Sequence, residues 1–82
     1  MGDERLLLRA RLTQNKASLR KMDLRADTHI RTIRETLDPL LGKHFTELDM
    51  EAAKVAFDDF YELWLEGKAL KELIDKQEQA LE

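Results

Sequence analysis

The sequence predicts an all-α fold, an antiparallel two-helix hairpin of coiled-coil type that completes a four-helix bundle by association. Three observations carry this. Apolar residues recur every three or four positions through residues 3–38, with neither Pro nor Gly between them. A second apolar row, spaced as heptads, runs from Ala56 to Leu81. Between the two stand the chain's one proline, at Asp38-Pro39, and Gly42. The break is short, so the second helix should return beside the first.

The first helix is expected over about residues 3–38. Asp3 and Glu4 suit the positive end of a helix starting there. Leu8, Leu12, Asn15, Leu19, Met22, Ala26, Ile30, Ile33 and Leu37 follow at a mean spacing near 3.6, the period of a straight α-helix. Leu6, Ala10, Thr13, Ala17 and Leu24 share a weaker second face, either a contact with another neighbour or ordinary surface residues. Two readings of Asn15 stand side by side: a polar residue that sets register within the seam, or a solvent-facing position where the helix breaks near Thr13–Asn15.

The turn is expected over about residues 39–48, with Pro39 at a first helical position and Gly42 as a C-terminal stop. The second helix, about 49–81, has two readable starts. Thr46 and Asp49 loosely resemble a capping box, with Phe45 and Met50 as its staple. Asp49 as the cap itself is preferred, because Glu51 then lies in the first turn.

Ala56, Phe60, Leu63, Gly67, Leu70, Ile74, Gln77 and Leu81 alternate steps of four and three, which predicts a left-handed seam. Four of the five aromatic residues crowd one stretch of this helix: Phe57, Phe60, Tyr61 and Trp64. Ala53, Ala56, Phe57, Phe60, Leu63 and Trp64 form an apolar face wider than one neighbouring helix covers. Gly67 on the seam suggests a close approach there, since glycine weakens a helix by roughly 1 kcal/mol relative to alanine. A turn near residues 42–45 makes facing residue numbers add to about 86–88, placing Ala26 by Phe60, Met22 by Trp64, Leu19 by Gly67 and Leu12 by Ile74. His29 should flank the seam near Phe57, and His44 should lie exposed in the turn. The core and interface expected from these rows are Leu19, Met22, Ala26, Ile30 and Ile33 with Ala56, Phe57, Phe60, Leu63, Trp64, Gly67, Leu70 and Ile74.

The 82 residues make one hairpin domain, 1–82, with two arms of about 50 Å at 1.5 Å per residue. Charged residues are 38% and apolar ones 43%, the profile of a soluble helical chain. The net charge of −3 hides a division: residues 1–43 carry +4 and all seven Arg, residues 44–82 carry −7. Such halves favour lying side by side and choose partner and orientation more than they stabilise. The N-terminal MGDERLLLRA lacks the long apolar core of a secretory signal, and no run approaches the ~20 apolar residues of a membrane span. A cytoplasmic location is expected, and the absence of Cys fits it.

Catalytic chemistry finds little support. There is no Cys, one Ser (Ser18) and two His, and Ser18 has no activating partner at a local spacing. Asp27, His29, His44, Glu47 and Asp49 match neither a structural zinc pattern nor a calcium loop. No catalytic residue, cofactor, metal or small-molecule substrate is therefore assigned, and the carboxylates Asp58, Asp59, Glu62 and Glu66 read as a solvated outer face. Arg5, Arg9, Lys16, Arg20 and Arg31 are the candidate contacts to nucleic acid or to an acidic partner. The pI of about 5.4, the acidic second helix and the lack of aromatic residues among the arginines weigh against nucleic acid.

A lone hairpin has one seam and little interior, so association is the remaining source of burial. The function expected is that of a non-enzymatic interaction protein that packs helix on helix, with itself as a homodimer or with another protein's helices. It would serve as an oligomerising adaptor, assembly factor or secretion-type chaperone. In build, though in no motif, it resembles the small helical-hairpin chaperones of bacterial secretion systems and small accessory proteins of phages. The alternative is a small dimeric nucleic-acid-associated regulator using the Arg-rich first helix.

Overall fold

A computed structural model describes residues 2–38 and 44–82. Helix α1 spans Gly2–Leu37, a single 3-10 turn spans Phe45–Glu47, and helix α2 spans Met50–Leu81. Pro39 and Gly42, where the sequence places the helix stop, lie outside the described residues. The two helices pack antiparallel into a rod of 65 × 15 × 15 Å. Its radius of gyration is 18.6 Å, against about 12 Å for a compact domain of this length.

α1 runs unbroken through Thr13–Asn15. The hydroxyl of Thr13 donates to the Arg9 carbonyl at 3.0 Å, and Thr28, Thr32 and Thr36 donate likewise to the carbonyls of Leu24, Thr28 and Thr32. Back-bonding of this kind lets a weak helix former sit inside a helix without an unmet hydroxyl. α2 starts at its preferred cap: Asp49 Oδ1 accepts from the Ala52 N–H at 3.0 Å. Its other end is closed from across the hairpin, where Arg5 Nη2 donates to the Leu81 carbonyl at 2.6 Å. A cation there also meets the negative end of the helix dipole.

The core is one seam. Ala53, Ala56, Leu63, Ile74 and Gln77 of α2 are buried, Ile74 most deeply. Facing them, Leu8, Leu12, Asn15, Leu19, Met22, Ala26, Ile30 and Ile33 of α1 are half-buried, as are Phe60, Gly67, Leu70 and Leu81 of α2. No residue of α1 is fully buried, because a single neighbour covers only one stripe of a helix. Leu37, last of the α1 row, is exposed. Inside the seam, Asn15 Nδ2 donates to Gln77 Oε1 at 3.0 Å, so a polar layer crosses the core with both amides engaged.

Two expectations are corrected. Contacts across the hairpin have numbers that add to 86 for Arg5 and Leu81, 89 for His29 and Phe60, 92 for Asn15 and Gln77 and 94 for Lys16 and Glu78, a wider spread than the expected 86–88. The expected partners Ala26 and Phe60, Met22 and Trp64, and Leu19 and Gly67 line one groove, and Ile74 lines another with Leu19. His29, which the sequence places beside the seam near Phe57, has its ring stacked on Phe60, with centroids 6.4 Å apart. Gly67 makes no close approach: a Cβ built there would meet nothing within 4 Å.

Candidate interaction surface

The heptad that buries Phe60, Gly67 and Ile74 in part or whole sets other residues on the flanks of α2. Met50, Phe57 and Trp64 recur at intervals of seven along one flank, and Tyr61 lies between Phe57 and Trp64 beside them. Phe57 and Trp64 belong to the apolar face read from the sequence, but α1 does not cover them. They are 58% and 48% exposed, and Tyr61 is 53% exposed. The reason is angular: one facing helix shields about a third of a helix's circumference, and these residues lie beyond it.

Together they form an apolar edge. Phe57, Phe60, Tyr61 and Trp64 line an open groove, and the rings of Tyr61 and Trp64 stack with centroids 5.7 Å apart. A second groove continues it over the seam, with Leu19, Met22, Ala26, Leu63 and Gly67 along its floor and sides. Gly67 supplies no side chain, so the groove stays open at that level. Lys68 closes the aromatic row, its Nζ 4.7 Å from the centroid of the Trp64 ring, where the cation meets the negative face of the π system.

The opposite edge differs in kind. Arg25 and His29 of α1 meet Asp59, Glu62 and Glu66 of α2 across a polar groove there. Among the described residues, no group of three or more His, Asp or Glu stands close enough to hold a metal ion, and no helix is long and apolar enough to cross a membrane.

The basic candidates divide. Lys16 Nζ pairs with Glu78 at 2.8 Å, and Arg5 is turned onto the end of α2, so both are directed along the hairpin. Arg9, Arg20 and Arg31 stand exposed on α1. The second face of α1 is exposed throughout, from Leu6 through Ala10, Thr13 and Ala17 to Leu24. Near the open end of α2, Lys71 donates to Asp75 at 2.9 Å, and the hydrogen bond and charge of Asp75 hold its ammonium above the ordinary lysine range.

The structure thus brings together Leu19, Met22, Ala26, Phe60, Leu63, Trp64 and Gly67 around one groove, and Leu19 with Ile74 around another. Tyr61 and Met50 join the exposed row without having been singled out as interface residues. The signal was present, since a 50, 57, 61, 64 spacing is itself a heptad row displaced from the seam. Comparison with protein-family models, with curated proteins and with solved structures found no match to this chain.

Proposed function

We propose that this chain is a non-enzymatic interaction protein that works by helix–helix packing. Two copies join through the apolar edge of α2 as a homodimer and complete a four-helix bundle. The outer charged surfaces then remain to engage another protein's helices, as in an adaptor, assembly factor or chaperone of the secretion type.

One observation carries the reading: three large aromatic side chains and Met50 stand about half exposed in a single row, beside an open groove. Scattered apolar residues on a surface are ordinary, but a contiguous apolar row marks a contact site. The surface area supports it. The chain exposes 6886 Å², whereas a compact monomer of 9.6 kDa exposes roughly 5,100 Å². The excess exceeds the ~800 Å² that each partner contributes to a standard interface.

Light scattering coupled to size exclusion, run across a range of concentrations, tests the proposal. The wild-type chain should elute at twice its mass, and Phe57→Asp/Trp64→Asp at one mass with its helical circular dichroism retained. A wild-type chain that remains monomeric at every concentration would overturn it.

A further inference from the structure

Resting on that reading, we infer that the two hairpins of the dimer lie with their turns at the same end, each α2 against the partner's α1. A two-fold axis allows two ways of laying one hairpin's apolar edge on another's. An axis along the rod keeps both turns at one end and places α2 on the partner's α1. An axis across the rod puts the turns at opposite ends, with α1 on α1 and α2 on α2.

The distribution of side chains along the edge separates the two. On α1 this edge carries Lys16, Asp23, Ile30 and Leu37 at intervals of seven, with Arg20, Asp27 and Arg34 beside them, also seven apart. It is the same side of the rod as the aromatic row: Asp23 lines one groove with Trp64, Lys68 and Lys71, and Lys16 and Arg20 line another with Lys71 and Glu78. An axis along the rod preserves height, so each α2 residue meets on the partner the level it already faces in its own hairpin. Lys68 and Lys71 then come level with the partner's Asp23 and Asp27. Asp75 and Glu78 come level with the partner's Lys16 and Arg20. The aromatic row comes level with the partner's Ile30 and Leu37, of which Leu37 is exposed in the single hairpin, and with the partner's Arg34, a cation that can lie over an aromatic face. Opposite charges meet opposite charges, and the aromatic row meets two apolar residues and one guanidinium.

The crossed arrangement fails on the apolar match. With full overlap it sets Phe57, Tyr61 and Trp64 over the partner's charged half of α2, where Lys68, Lys71 and Asp75 stand. All the exposed aromatic residues of α2 lie in the half nearer the turn, so at full overlap of the two rods only the first arrangement sets them on the partner's Ile30 and Leu37.

The chain has no cysteine, which makes the test direct. Glu47→Cys, exposed in the 3-10 turn, and Glu82→Cys, exposed at the open end, are prepared as separate single-cysteine chains. Each is spin-labelled, and the label-to-label distance within the dimer is measured by pulsed electron resonance, with light scattering on the same samples. The inference expects a short distance for both chains, roughly 30 Å or less, set by the width of a bundle built of helices about 10–12 Å across. Distances near the 65 Å length of the rod in both chains, from samples that are dimeric, would overturn this arrangement and leave the association standing. A monomeric wild-type chain would overturn the association and this inference with it.

Discussion

The amide pair inside the seam gives the sharpest quantitative prediction. Gln77 is only 9% exposed and its Oε1 accepts from Asn15 Nδ2 at 3.0 Å. Asn15→Leu puts an apolar side chain in the row but strands the Gln77 carbonyl oxygen in the core. An unmet buried acceptor costs about 1–3 kcal/mol, and the leucine's own burial offsets part of it, leaving a loss of about 1 kcal/mol. In a chain of this size that lowers Tm by roughly 4–8 °C. Gln77→Leu leaves Asn15, which is half-buried and reaches water, so its cost is smaller. Asn15→Leu/Gln77→Leu removes both polar groups and should melt at or above the wild type, which makes the double-mutant coupling about 1–2 kcal/mol. The added stability should come with lost specificity, seen as a mixture of association states, since a buried polar pair holds one register against its neighbours. Thermal melts followed by circular dichroism suffice, run at one fixed chain concentration because association shifts Tm. Additive single effects, or Asn15→Leu melting no lower than the wild type, would refute the claim that this pair is a buried, mutually satisfied layer.

Gly67→Ala should raise Tm by several degrees, because alanine is better in a helix by roughly 1 kcal/mol and its Cβ meets nothing within 4 Å; destabilisation would show that an associating copy approaches the backbone there. Asp49→Ala should cost about 1 kcal/mol in a thermal melt through loss of the bond to the Ala52 N–H, and a negligible effect would mean that α2 caps itself another way. Lys16→Ala should shift stability by less than about 1 kcal/mol, since both partners of its pair with Glu78 are nearly half exposed. On immobilised nucleic acid the wild-type chain should be retained no better than an acidic control protein; salt-sensitive binding that vanishes when Arg9, Arg20 and Arg31 are neutralised would favour the alternative function.

The two helices were legible in the sequence because each burial row follows its own arithmetic. The α1 row from Leu8 to Ile33 keeps one period across 26 residues, and the α2 row from Ala56 to Leu81 keeps the heptad, with Gln77 in it despite being polar. Asp49 was legible as a cap from its place one residue before the helix. Register was not. It depends on how the chain crosses from one helix to the other, and a connection leaves no periodic signal from which pairings that add to anything from 86 to 94 could be read. Nor was the division of the aromatic residues legible. Phe57, Phe60 and Trp64 share one broad face by spacing, and only the position of α1 decides that Phe60 is half-buried while Phe57 and Trp64 are exposed. Gly67 misled for a related reason: its place on the seam argued for close packing, but the groove beside it is open.

The central claim is that the aromatic row is covered by a second chain, and the single tryptophan reports on it directly. Trp64 is 48% exposed in the hairpin alone and is the only Trp present. Its emission, followed by dilution from high to low concentration, should move from the blue, quencher-protected range of a buried indole to the red range of a hydrated one, tracking the change in mass seen by light scattering. An emission maximum and acrylamide accessibility that stay constant while the mass doubles would show that any association uses some other surface, and would contradict the account.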